Sequence, residues 1–157
     1  MLKRTVHAFA AALLCLGVLS PLSARAEVID VDSAELARLA ASGVVVVDIR
    51  TEPEWKETGV IAGSHLLTFF DEKGRADPAA WLEKLKAFAP PDRPVAVICR
   101  SGNRTQPVSR LLAQQAGYRT VYNVRKGIRA WSADGRPLVP AAAEATAAAS
   151  CAPGARC

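Results

Sequence analysis

Histidine is nearly absent from this chain of 157 residues, which holds only His7 and His65. His7 sits in a leader-like segment, so a mature protein would keep one imidazole. That is too few for a metal centre built on several such ligands, and no metal or cofactor is called for. Aromatic residues make up 6 % of the chain and methionine occurs once. There is no dense basic patch interleaved with aromatics, so nucleic acid binding is not indicated. The one long apolar stretch, Ala8 to Leu19, falls short of the roughly 20 residues that a membrane-spanning helix needs.

That stretch has another reading. Lys3 and Arg4 precede it and Ala24-Arg25-Ala26 follows it, the order of a secretory signal with cleavage expected near Ala26. Cys15 lies among leucines without the small residues a lipid-anchoring site needs, so no lipid anchor is expected. Cleavage would remove Lys3, Arg4 and Arg25 and no acid, lowering the formal charge from +5 by those three to +2. The expected location is periplasmic or secreted, with membrane contact only through the signal during export.

An oxidising compartment favours paired cysteines. Cys99, Cys151 and Cys157 would survive cleavage, an odd number, so at least one has no partner within the chain. The last two bracket "CAPGARC", whose Pro-Gly favours a turn that could bring them together. A Cys151–Cys157 disulfide and a free Cys99 are expected. Residues 141–157 are rich in alanine and poor in large apolar side chains, an appendage rather than a core element.

The globular part is expected over residues 27–140. "VVVVDI" (Val44–Ile49) and "VAVIC" (Val95–Cys99) are continuous apolar runs rich in β-branched residues, as strands covered on both faces should be. Shorter strand candidates are Glu27–Asp30, Ser64–Leu67 and Thr120–Val124. Between them lie helical patterns. Asp32 with Glu35 forms a capping pair opening one, Asp77-Pro78 opens another, and "PVSRLLAQQAG" gives a third that stops at Gly117. Strands alternating with helices define an α/β domain with a largely parallel sheet.

Ligands of such sheets bind at the carboxyl ends of the strands. Cys99 stands there, followed by Arg100, Ser101, Gly102, Asn103, Arg104 and Thr105. A short loop of this kind can turn its N–H groups inward, Gly102 frees the backbone, two arginines add charge, and a helix begins just beyond. Such surroundings favour a thiolate and attract an anion, so the expected machine is a cysteine nucleophile acting on an anionic or polarised substrate. Asp48 and Arg50 end the other long strand and are expected to support the site, with Arg50 pairing with Glu54 to fix a turn. His65 is read as structural, because a loop-stabilised thiolate needs no histidine base. Trp55, Trp81 and Trp131 could line a pocket, though aromatics at helical spacing more often pack in a core.

"CRSGNRT" resembles the active-site loop of rhodanese-domain sulfurtransferases. "VVVVDIRTEPEWKETGVIAGSHLL" is similar to that family's first signature, and "VYNVRKGIRAW", with Gly127 and Trp131, to its closing segment. The resemblance covers about Val28 to Pro140. It implies a single five-stranded rhodanese domain flanked by helices, with Cys99 carrying a persulfide and the N–H groups of residues 100–105 cradling its outer sulfur. Arg100 or Arg104 would hold the sulfonate end of a small anionic donor such as thiosulfate, and a thiol or cyanide-like acceptor would take the sulfur. Gly59-Val60 and Ser64-His65 depart from the common family pattern. Related phosphatases and arsenate reductases carry Cys-x5-Arg, against Cys-x4-Arg here. A sulfur carrier or binding module on the same fold, and redox chemistry using the tail cysteines, are the other readings.

Overall fold

A strand of valine, alanine and isoleucine with no polar residue has no face to give to water, and it needs cover on both sides. In the computed structural model, which describes residues 26–143, Val95, Ala96, Val97 and Ile98 are all fully buried. Around them the chain runs β1 (Glu27–Val31), α1 (Ser33–Ala41), β2 (Val45–Asp48), α2 (Glu52–Thr58), β3 (His65–Leu66), α3 (Pro78–Lys86), β4 (Val95–Ile98), α4 (Thr105–Gln114), β5 (Thr120–Val124) and α5 (Gly127–Ala133). The strands form one sheet in the order β1-β5-β4-β2-β3, and every neighbouring pair is parallel. The α/β expectation holds, and the sheet is wholly parallel. The expected signal segment, up to residue 25, and the expected Cys151–Cys157 disulfide lie outside the described residues.

Alternation along β4 sorts the core into two halves. Val95, Val97 and Cys99 face the side covered by α3 and α4, where Trp81, Leu85, Val108 and Leu112 pack. Ala96 and Ile98 face α1 and α5, against Leu36, Leu39, Ile128 and Trp131. Each of these large side chains contributes roughly 1.5–3 kcal/mol by leaving water. Trp81 and Trp131 are therefore core residues, and each spends its indole N–H on a backbone carbonyl, Leu67 at 3.0 Å and Pro137 at 2.9 Å. Trp55 does neither.

Helix starts follow local chemistry. The Asp32 carboxylate accepts from the Glu35 N–H at 2.9 Å, one half of the expected capping pair. The Glu35 side chain turns instead to Arg38. Asp77 caps α3 in the same way through the Ala80 N–H, with Pro78 in the first turn. Two helices were not expected from the sequence, α2 and α5, each of seven residues. Neither is long enough to show a full apolar stripe, and α2 buries none of its residues fully.

What holds α2 is Arg50. It is fully buried beside an equally buried Asp48, with Nε 2.9 Å and Nη2 2.6 Å from the carboxylate. Its remaining donors reach Thr58 Oγ1 at 2.6 Å, the Glu54 carbonyl at 3.3 Å and the Gly59 carbonyl at 2.9 Å. Every guanidinium N–H is thus used, and the end of α2 is tied to the end of β2. The expected Arg50–Glu54 ion pair does not form. Asp48 offers both oxygens from two residues away, and the Glu54 carboxylate faces elsewhere. Just beyond α2, Val60 and Val139 exchange N–H···O bonds of 2.9 Å each, so residues near the described end of the chain run as a strap beside that helix.

An Arg50→Ala replacement should leave the buried Asp48 carboxylate without its partner, at a cost of about 3–5 kcal/mol in urea unfolding. A loss below about 1 kcal/mol would mean that the pair is dispensable to the fold.

Candidate active site

Cys99 follows β4 directly, at the carboxyl edge of the sheet, and its side chain is fully buried. The loop after it is shaped by where its carbonyls go. The Ile128 N–H at the start of α5 donates to the Cys99 carbonyl at 2.8 Å, and the Arg129 N–H to the Arg100 carbonyl at 3.2 Å. The Thr105 hydroxyl donates to the Gly102 carbonyl at 2.8 Å. In a planar trans peptide the carbonyl of one residue and the N–H of the next point opposite ways. The N–H groups of Arg100, Ser101 and Asn103 therefore face away from those contacts, and none has an acceptor among the described residues. The Gly102 N–H points at Cys99 Sγ, 3.1 Å away. The result is a buried sulfur inside a turn whose neighbouring donors are unspent, a nest suited to negative charge.

Two glycines make this approach possible. Gly102 has φ +92°, and a Cβ there would lie 1.6 Å from the Arg125 carbonyl oxygen. Gly127 has φ +59°, and its Cβ would stand 2.3 Å from the Cys99 carbonyl oxygen. Both contacts are backbone on backbone and no rotamer can relieve them. Gly127 thus sits against the two carbonyls that α5 captures, and Gly102 sits against the backbone of Arg125 just before that helix.

The two loop arginines have different fates. Arg104, just before α4, is gripped by Glu54 through two bonds, Nη1–Oε2 at 2.8 Å and Nη2–Oε1 at 2.6 Å. Glu54 holds Arg104 protonated against the opposing cost of burial, and the nearby Cys99 sulfur adds to that effect. Burial of the Glu54 carboxyl works to raise its pKa, but Arg104 and the N–H and hydroxyl of Thr51 outweigh it and bring the value down to about 2. Arg100, by contrast, is exposed and its guanidinium has no partner among the described residues. It borders a cleft of about 320 Å³ with Thr58, Ile128, Arg129, Ser132 and Leu138.

The structure thus brings Cys99, Arg100, Ser101, Gly102, Asn103, Arg104 and Thr105 into one loop. Asp48 ends the neighbouring strand and Arg50 lies two residues on; the Asp48 carboxylate is committed to Arg50, whose other donors go to the end of α2. His65 stands on the edge strand β3, level with Val47, and stacks on Phe88 at 4.0 Å between ring centres. Among the described residues no group of three or more metal-ligating side chains converges. Sequence reasoning named Glu54 only as a partner for Arg50 and missed its grip on Arg104. Its signal was legible: Thr51-Glu52-Pro53-Glu54 is the Thr-x-x-Glu pattern of a helix start with proline in the first turn.

A parallel five-stranded sheet with a cysteine loop between its central strand and a helix narrows the class to cysteine-loop α/β domains. Comparison with known proteins then decides the family. The rhodanese-like domain family matches residues 32–134, and the chain belongs to that family. A sulfurtransferase of Allochromatium vinosum is 35 % identical over 112 residues, covering 70 % of this chain and 94 % of the relative. Thiosulfate sulfurtransferase 18 of Arabidopsis thaliana is 29 % identical over 110 residues, covering 67 % of this chain and 79 % of its own. The crystal structure of Rv0390 from M. tuberculosis superposes with a TM-score of 0.61 at 24 % identity, covering 73 % of this chain and 98 % of that one.

Acid should test the Glu54–Arg104 grip. Because the Glu54 pKa falls from its ordinary 4.5 to about 2 on folding, its contribution to stability is complete above roughly pH 4.5 and fades as pH drops toward 2. Denaturant unfolding of Glu54→Gln and the parent should therefore differ most near neutral pH and converge near pH 2. A gap that stays constant with pH would show that the charge of Glu54 is not what matters. In the same assay Gly127→Ala should lose at least about 2 kcal/mol, as strained backbone positions do.

Proposed function

We propose that this domain transfers a sulfane sulfur through a persulfide on Cys99. The observation that carries the reading is the cysteine loop, where the Gly102 N–H lies 3.1 Å from Cys99 Sγ and the N–H groups of Arg100, Ser101 and Asn103 have no acceptor among the described residues. A persulfide extends the side chain by one sulfur bearing negative charge, and donors fixed in advance stabilise that charge without reorganising.

The donor is a small anion of the thiosulfate type. The Cys99 thiolate attacks its outer sulfur, a new S–S bond forms, and the old one breaks as sulfite leaves with the bonding pair. In the second half, cyanide or a thiolate attacks the outer sulfur of the persulfide, and the Cys99 thiolate is released. No oxidant or reductant enters. Arg100, whose guanidinium is unpaired, holds the sulfonate oxygens during the first half, while Arg104 stays with Glu54 and steadies the loop. Its commitment to Glu54 also weighs against phosphoryl transfer, in which the loop arginine must be free to take phosphate oxygens. The leader over residues 1–26 directs this chemistry to the periplasm or the exterior.

Intact-mass measurement on signal-free protein tests the cycle. Thiosulfate should add one sulfur atom to the protein, cyanide should remove it with release of thiocyanate, and Cys99→Ser should gain nothing. Failure of the parent to gain sulfur while Cys99 remains reduced would overturn the proposal. Arg100→Ala should raise the KM for thiosulfate about tenfold, the loss of one ionic hydrogen bond, with little change in thermal stability.

A further inference from the structure

A groove of about 920 Å³ lies between α2 and the strap that follows α5, and Cys99 is not among the residues that line it. Trp55, Gly59 and Leu66 form one side and Leu138 to Ala142 the other, so its surface is mainly apolar. Its size falls in the range of about 300–1,000 Å³ that holds organic ligands. The Trp55 indole on its wall has its Nε1–H buried with no acceptor, whereas the indoles of Trp81 and Trp131 are both satisfied. An unpaired buried donor costs on the order of 1–3 kcal/mol, so the fold does not use this indole as it uses the other two.

The groove has a charged end. Thr58 and Leu138 line both the groove and the smaller cleft that holds Arg100 and Arg129. Neither arginine side chain has an ion-pair or hydrogen-bond partner among the described residues, in contrast to Arg50 and Arg104. An apolar trough with an indole in its wall and two idle cations in the adjoining cleft is complementary to one kind of molecule.

We infer that the α2–strap groove and the Arg100–Arg129 cleft together form a binding site for an amphipathic organic anion. Its aromatic or alkyl body lies along Trp55, Leu66 and Leu138, and its sulfonate or carboxylate head lies between Arg100 and Arg129. The site does not depend on the Cys99 thiol. It shares Arg100 with the proposed donor position, so an occupant competes with thiosulfate at the first half-reaction.

The probe is 8-anilinonaphthalene-1-sulfonate, which has such a body and such a head, titrated into the folded, signal-free protein by fluorescence and calorimetry. One saturable site is expected in both the parent and Cys99→Ser, so the result stands apart from whether sulfur is transferred. N-phenyl-1-naphthylamine, the same body without the sulfonate, should bind about tenfold more weakly, the value of one charged contact. Arg129→Ala should weaken the sulfonate probe by a similar factor and leave the uncharged one alone. Trp55→Ala removes the indole wall and should weaken both probes about fivefold with unchanged circular dichroism. Absence of a saturable site overturns the inference, as does a site indifferent to both Trp55→Ala and Arg129→Ala.

Discussion

The site depends on one constraint, that a peptide's carbonyl and the following N–H cannot face the same way. A loop that is to offer its N–H groups to a sulfur must find another place for its carbonyls. Here the start of α5 supplies that place, taking the carbonyls of Cys99 and Arg100, while Thr105 takes that of Gly102. The first turn of a helix has N–H groups with no partner inside the helix, so the exchange satisfies both sides at once. It also explains Gly127, because the carbonyls of Cys99 and Arg100 can be captured only if the backbones come closer there than a Cβ allows. Gly102 permits a second close approach of the same loop, onto the Arg125 carbonyl.

Around this core the protein allocates its arginines by depth. Arg50 is fully buried and every donor is used, which makes it a structural clamp on α2. Arg104 is half-buried and bound on one side by Glu54, and its charge still bears on Cys99. Arg100 and Arg129 reach the surface with their donors unspent. The order follows from solvation. A buried guanidinium must be paired, and once it is paired it has little left to offer a ligand. Only cations that water can reach are free to exchange that water for an anion.

The parallel sheet was legible because its central strands, Val44–Ile49 and Val95–Cys99, are apolar on both faces, and few folds bury a strand that way. The cysteine loop was legible because cysteine, glycine and two arginines follow such a strand without a break. The helices α2 and α5 were not seen, since seven residues are too few for a helical period to declare itself. The Glu54–Arg104 pair was missed for a different reason. Fifty positions separate the two residues, and an ion pair depends on how helices are placed, which no local pattern encodes. Arg50 is the nearer cation to Glu54 in sequence, but Asp48 competes for it. Asp48 wins by position: it is already buried at the end of β2, where leaving it unpaired would be costly.

The unequal treatment of the three tryptophans connects the fold to what it can bind. Trp81 and Trp131 each fill one half of the core and each finds a carbonyl, as buried indoles in a close-packed interior generally do. Trp55 sits on a helix that is held by Arg50 rather than by an apolar face, so nothing in the core requires its ring. The ring instead lines a groove whose other wall is the strap pinned at Val60 and Val139. A helix clamped by an ion pair keeps its apolar side chain free of the core, and a strap fastened beside it turns that side chain into the wall of a channel. The same buried Asp48–Arg50 pair that steadies the fold next to the cysteine loop thereby leaves an apolar surface beside the unspent cations of Arg100 and Arg129.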